Sequence, residues 1–476
     1  MVNSNLKNKI FRFIKYWLPV FIWLIIIFAF SNNPTVRASE IHWRDFSVKK
    51  SAHVIIYAIL STLIYRALKS NNVEMKKTGY ISVFLASFYG ITDEFHQSFT
   101  PGRDPTFRDI IFDTIGATLF GNYCLRCRKK LGFGQKNLKL HNMKKILVTG
   151  GGGYIGSVAT HLLLQEGYEV VVIDNFSTGY RQPLKMLKSK YKSKLSYYEA
   201  DLRDDLTRVF YKEKGIGAVL HYAASCSVNE SMENPEKYFL NNVCGSQNLL
   251  STMLKYRVKK IVFSSTCAVY GEARYVPIDE NHPTSPSNPY GESKLMIEKM
   301  LRWYGKLKGL NYVILRYFNV CGASDDAEVG DSKSPSVLLV QNAVKGALGI
   351  ESFFLTCPKV DTPDGTPIRD YINVVDLNEA HILALEHLFR GGKNETINLG
   401  TGKGNSVLEI VNVVQKITGV RFDLQKGVVR KGEYAKMIAD IKKAKRILGW
   451  KPKRSLEDSV KSLIKWYKKY PYGWNK

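Results

Sequence analysis

Tyr290 and Lys294 stand four positions apart in the run Tyr290-Gly-Glu-Ser-Lys294. On a helix that spacing puts both side chains on one face, a single turn apart, so an ammonium can sit beside a phenol oxygen. A phenol ordinarily keeps its proton up to about pH 10, and a general base working near neutrality needs positive charge beside it. Lys294 supplies one such charge and an oxidised nicotinamide would supply another. Taken alone, the pair is an ordinary helix face. It gains meaning from its company: residues 260–266 read as a strand ending in Ser264-Ser265-Thr266, and Tyr290 follows Thr266 by 24 residues.

Further upstream, Lys145–Thr149 reads as a buried parallel strand, followed at once by Gly150-Gly-Gly-Gly153-Tyr-Ile-Gly156 and a helix. In this spacing Gly150 makes a tight turn, Gly153 lets backbone approach a pyrophosphate, and Gly156 lets helix pack closely on strand. The helix N-terminus supplies N–H donors. A second apolar strand, residues 169–173, ends in Asp174-Asn175, 18 positions beyond Gly156. A carboxylate there accepts hydrogen bonds from the adenosine ribose and repels a 2′-phosphate, which favours NAD over NADP. Asp201-Leu202 and the run His221-Tyr222-Ala223-Ala224 sit at further strand ends, where adenine and pyrophosphate are lined. The expected fold class from residue 143 onward is therefore α/β. It is a Rossmann-type doubly wound parallel sheet with a smaller C-terminal substrate-binding α/β part.

Those elements occupy only part of a chain of 476 residues, which is too long for one ordinary core. Its formal charge is +27, of which residues 1–142 carry +12 and the remainder +15. No aromatic-basic motif accompanies either share, so nucleic-acid binding is not expected; loop charges that orient membrane helices and a solvated basic surface explain the excess. The seven cysteines are odd in number and mostly lie in apolar segments, which fits a reducing compartment. Cys124-Leu-Arg-Cys127 has half the spacing of a zinc site but no second half, and no metal is expected.

In the first 130 residues the apolar positions bunch into four candidate spans, at about 10–30, 52–68, 78–95 and 110–124. An all-α membrane helix bundle is expected over residues 1–130, then a basic linker at 131–142 and the enzyme at 143–476. Lys7, Lys9, Arg12 and Lys15 precede the first span, Lys69, Lys76 and Lys77 follow the second, and Arg126, Arg128, Lys129 and Lys130 follow the fourth. Their excess places those loops, and the enzyme, on the cytoplasmic side of a multi-pass membrane protein. Asp93, Glu94, His96 and Arg103 gather between the third and fourth spans. They are either a helix-end salt-bridge cluster or a site.

The string Asp-Glu-Phe-His-Gln-Ser-Phe-Thr-Pro-Gly-Arg103, with Ala52-His53-Val54 upstream, resembles the VanZ-like membrane family. From Met143 to about Trp474, the segments TGGGGYIGS, DNFSTG, FSSTCAVYG, NPYGESK, RYFNVCGA, GTPIRDYI and NLGTGKGNSVLEI closely resemble the UDP-glucose 4-epimerases, within the extended short-chain dehydrogenase/reductase family. The resemblance implies NAD contacts at Tyr154, Ile155, Asp174, Asn175, Phe176, Ser177, Thr178, Gly179, Asp201 and Leu202. It adds Tyr222, Ala223, Ala224, Ser225, Cys226, Asn242, Tyr290, Lys294 and Phe318. It implies substrate contacts at Thr266, Asn319, Arg369 and Arg430, with Glu433 where Asp is usual, and a homodimer formed through a helical interface. The implied chemistry is oxidation at the sugar's carbon 4, turning over of the ketone, and reduction on its other face. Tyr290 is the base, Thr266 bridges phenol and sugar oxygen, and both arginines meet the diphosphate.

Dehydratases of the same fold need an acid pair after the strand-end threonine, a place held here by Cys267-Ala268, which leaves epimerisation ahead. Cys226 replaces the common Lys or Ser, and Val337 lacks a side-chain hydrogen bond to the nucleotide. Met437 sits where smaller residues admit N-acetyl groups and so favours UDP-glucose and UDP-galactose. A 4-epimerase for another UDP-sugar, and a sensor that binds NAD and nucleotide sugar without turnover, are the competing readings.

Overall fold

The computed structural model describes residues 4–32, 42–70, 75–100, 108–118, 145–333, 336–421, 425–426 and 434–474. The chain divides into two compact units, Met1–Lys136 and Asn137–Lys476.

In the first unit, helices α1 (Ser4–Ser31), α2 (His42–Ser70), α3 (Met75–Gln97) and α4 (108–118) pack around Val20, Ile27, Tyr57, Leu60, Ile64, Ala86 and Ala117. The helices fall near the four expected spans. Among the described residues only Lys50–Leu68, within α2, is long and apolar enough to cross a bilayer; Tyr16–Ser31 is a shorter apolar stretch. Residues 119–144 lie outside the described residues, and with them the end of the fourth expected span, both Cys124 and Cys127, and the expected linker. Arg103 lies outside them too.

The second unit is built on seven parallel strands: β1 (Lys145–Thr149), β2 (Glu169–Asp174), β3 (Leu195–Glu199), β4 (Ile216–His221), β5 (Lys260–Thr266), β6 (Asn311–Tyr317) and β7 (Glu395–Leu399). Their order across the sheet is 3-2-1-4-5-6-7. Strands such as Ile146-Leu147-Val148 and Val170-Val171-Val172-Ile173 are apolar on both faces because both faces are covered. Ile146 and Val148 join the core beneath α5 (Tyr154–Gln165) and α8 (Val374–Phe389). Leu147, Val171 and Ile173 join the opposite core, with residues of α6 (Gly245–Lys255) and α7 (Pro289–Lys308). The doubly wound fold follows from that alternation. A smaller C-terminal portion has its own core around Val340, Val344, Ile410, Val414, Leu463, Trp466 and Tyr467. It carries a three-stranded sheet in which Ile368–Arg369 pairs with Asn405–Ser406 and Lys436–Met437.

Helix α7 starts where its sequence dictates. Asn288 caps it by accepting from Gly291 N at 2.8 Å, Pro289 occupies the first turn, and Gly309 ends it in the left-handed conformation at φ 65°. Two turns past Tyr290, on the same face, the fully buried Glu298 accepts from Arg316 of β6 at 2.9 and 2.6 Å and from the Ser265 hydroxyl of β5 at 2.6 Å. The Arg316 guanidinium also lies over the Tyr270 ring at 4.9 Å. Removing one partner of such a pair strands a buried charge. Glu298→Ala is expected to destabilise this unit by about 3–5 kcal/mol, read as a lowered denaturation midpoint of the purified full-length chain.

Candidate functional site

Strand β1 is where the strand order reverses, with β2 on one side and β4 on the other. Ligands of open α/β sheets sit at the carboxyl ends of strands flanking such a point. A cleft of about 800 Å³ opens there. Three groups of residues line it.

The first is the glycine turn after β1. Gly150, Gly153, Tyr154, Ile155 and Gly156 border the cleft. A Cβ on Gly156 would lie 2.1 Å from the Gly150 carbonyl oxygen, so that backbone contact admits glycine alone. At Gly153 a Cβ would meet only the Gly150 oxygen, at 3.4 Å, and otherwise open space, which is the room a pyrophosphate needs. Gly153 is also the N-cap of α5 and offers no side chain to the first turn. Asp174, at the end of β2, accepts from Gly152 N at 2.8 Å and Phe176 N at 2.7 Å, tying the turn to the second strand. Burial pushes its carboxyl up, and those two N–H groups oppose the shift. Asn175, Ser177, Thr178 and Gly179 continue the rim. Asp201 accepts from Asn175 at 2.8 Å and from a fork of Arg203, which holds its carboxyl well below the usual carboxylate range. The glycine cradle, the helix N-terminus and the strand-end acid fit a dinucleotide.

The second group follows β4. Tyr222, Ala223, Ala224, Ser225 and Cys226 line the cleft. Asn242 does not; it braces Ser225 from behind, accepting from its N–H at 2.8 Å and donating to its carbonyl at 3.0 Å, while also donating to Ser293 of α7 at 3.0 Å. Phe176 is likewise absent from the lining. It is buried, and a Cβ on Gly152 would touch its ring at 2.8 Å.

The third group is catalytic in type. Thr266 closes β5, and Tyr290 and Lys294 face it from α7, all three bordering the cleft. The Lys294 ammonium donates to the Ser264 carbonyl at 2.9 Å. Burial pushes the Lys294 amine down to about 8 and pushes the Tyr290 phenol well up, while a hydrogen bond with Thr266 pulls the phenol back. In this dry pocket desolvation of the phenolate dominates, so the second expected charge, that of an oxidised nicotinamide, is needed beside the one from Lys294. Tyr238, itself fully buried, meets the Tyr290 ring edge-on at 6.4 Å. Phe318, Asn319 and Arg369 border the same cleft, the guanidinium of Arg369 donating to the Tyr434 carbonyl at 2.8 Å. Leu202 lines it beside Asp201, whereas Arg430 and Glu433 lie outside the described residues.

Sequence reasoning did not single out Tyr317, Lys333 or Tyr434, which also border the cleft. Tyr317 ends β6 and could have been found by treating every strand end alike. Lys333, which donates to the Cys226 sulfur at 3.6 Å, and Tyr434 arrive on loops with no spacing signal. Met437 is buried at the cleft wall, and Val337 is half exposed on its rim.

A dinucleotide cradle and a Tyr–Lys–Thr set in one cleft define a redox enzyme that acts on a sugar or similar alcohol. Residues 146–400 match the NAD dependent epimerase/dehydratase family, and residues 5–125 match VanZ/LLP1. The chain is 44% identical over 333 residues to the UDP-glucose 4-epimerase of Halalkalibacterium halodurans, covering 69% of this chain and 97% of that one. With the UDP-glucose 4-epimerase of Bacillus subtilis it shares 41% over 325 residues, 67% and 96% of the two chains. Among solved structures, that of Bifidobacterium longum UDP-glucose 4-epimerase in complex with NAD+ and UDP aligns with TM-score 0.66 at 36% identity, covering 70% of this chain and all of that one. The chain belongs to the NAD dependent epimerase/dehydratase family, its cofactor is NAD, and it carries a VanZ/LLP1 domain ahead of the enzyme.

The buried Lys294 gives a pH signature. Its folded proton affinity lies below the ordinary 10.5, so between about pH 8 and 10.5 the unfolded chain holds a proton that the folded chain does not. Stability contributed by this residue therefore rises with pH through that window. Denaturation of parent and Lys294→Met across it should show the parent gaining on the variant; a constant gap contradicts the assignment.

Proposed function

We propose that residues 143–476 interconvert UDP-glucose and UDP-galactose by transient oxidation at carbon 4. The observation that carries this is the convergence of Tyr290, Thr266 and Lys294 on the cleft that also holds the glycine cradle. Bound NAD supplies reversible hydride acceptance at carbon 4. Tyr290 takes the proton from the 4-hydroxyl and later returns it, with Thr266 bridging phenol and sugar oxygen. The Lys294 charge favours the phenolate, and the side chains of Asp174, Asn175 and Asp201 hold the adenosine end. Arg369 and Arg430 would meet the diphosphate, and Asn319 and Glu433 the nucleotide side. Because the ketone must turn over about its diphosphate tether, a clamp on the diphosphate with a roomy sugar pocket is what the chemistry needs. Met437 at the cleft wall supports a hexose without an N-acetyl group.

Residues 1–130 are assigned to a multi-pass membrane unit, joined by the linker 131–142 to an enzyme on the cytoplasmic side. The VanZ/LLP1 match, the Lys50–Leu68 helix and the basic loops support this reading. The enzyme is assigned as a homodimer, supported by Met296, Trp303 and Leu307, which lie exposed along one face of α7.

With the purified chain and a panel of UDP-sugars, NMR should show interconversion of the glucose and galactose forms. Tyr290→Phe should lower turnover by about 10²–10⁴-fold while NAD released on denaturation stays unchanged. A parent that retains NAD without turning over any UDP-sugar would favour the sensor. After cell lysis, the full-length chain should sediment with membranes; recovery in the soluble fraction contradicts the membrane assignment.

A further inference from the structure

The helical unit holds a second constellation. His53 of α2, Glu94 of α3 and Asp113 of α4 each bring one potential ligand atom within 4.8 Å of the others. Glu94 is 5% exposed and Asp113 1%. The His53 Nδ1 and Asp113 Oδ1 atoms are 2.9 Å apart, whereas Asp113 Oδ2 and Glu94 Oε2 are buried with no hydrogen-bond partner among the described residues.

The neighbouring carboxylates are already satisfied. Asp109 is paired with the Lys50 ammonium. Asp93 accepts from Ser31 and Gln97 at 2.8 Å and from the Tyr57 hydroxyl at 3.3 Å. Glu94 and Asp113 are thus left converging on one point beside an imidazole, and buried carboxylate oxygens without a partner are costly. The backbone is shaped for the arrangement. A Cβ on Gly116 would fall 2.3 Å from the Val54 carbonyl oxygen, so α4 touches the backbone of α2 next to His53.

We propose that His53, Glu94 and Asp113 bind a divalent transition ion, Zn²⁺ or Mn²⁺. Two carboxylates balance its charge. One imidazole with two carboxylates suits these ions, while Ca²⁺ takes about six to eight oxygens and Cu⁺ prefers sulfur. Three protein ligands leave a position for water, as in zinc centres that do chemistry. This assignment reverses the expectation, drawn from the cysteines, that the chain holds no metal. It joins Glu94 and Asp113, which flank the polar stretch between the third and fourth spans, to His53 of the second.

The test uses the full-length protein purified in detergent, stripped with chelator and dialysed against Zn²⁺ or Mn²⁺, with metal measured by mass spectrometry. The parent is expected to retain one ion per chain. Glu94→Gln and Asp113→Asn should each weaken retention by at least about 10-fold, with helix content by circular dichroism unchanged. Retention of neither ion by the parent overturns the proposal regardless of how the variants fold. Retention that survives intact in the folded variants overturns it equally.

Discussion

The buried contact between Glu298 and Arg316 is what the catalytic geometry rests on. Tyr290, Lys294 and Glu298 fall on one stripe of α7, so the glutamate that anchors the helix is in line with the two residues that face the cleft. Its partners are Arg302 one turn on along α7, Arg316 on β6 and Ser265, the residue before Thr266. One carboxylate therefore sets the distance between the helix that carries the phenol and the strand that carries its hydroxyl neighbour. An apolar replacement of the whole cluster can pack as tightly, but it does not fix the helix against two named strand positions.

Electrostatically, the cleft is tuned by dryness more than by pairing. Burial weakens the Lys294 proton, lowers His221 to about 3 and His381 to about 4, and strengthens the hold of Tyr290 on its own proton. Both histidines are neutral at physiological pH and serve as hydrogen-bonding struts: His221 contacts Thr149 at 2.7 Å and Ser246 at 2.8 Å, and His381 contacts Ser264 at 2.8 Å. The charge that makes the phenol a base must then come from groups close to it, where low dielectric magnifies their effect.

Much of the enzyme unit was legible in the sequence because its signals are local. A strand, a glycine turn and a helix are adjacent in the chain, and Asp174 and Thr266 each end a strand that can be read from apolar runs. Lys333 and Tyr434 were not legible, since loops that return to the cleft from the C-terminal portion leave no periodic trace. Asn242, implied as a cofactor contact, bonds both the N–H and the carbonyl of Ser225 at the cleft wall. In the helical unit, the segments were visible as apolar runs, but the meeting of His53 with Asp113, 60 positions away, depends on how α2 and α4 pack. Nothing in either segment alone encodes it.

Asn242 holds both the donor and the acceptor of the Ser225 peptide, so the turn after β4 is already rigid before anything enters the cleft. A wall that is stiff in advance has little conformational entropy left to surrender on capture and little to regain on release. Departure of a captured dinucleotide then has no loosening of that turn to draw on. This suits an enzyme whose coenzyme must outlast many visits by the sugar.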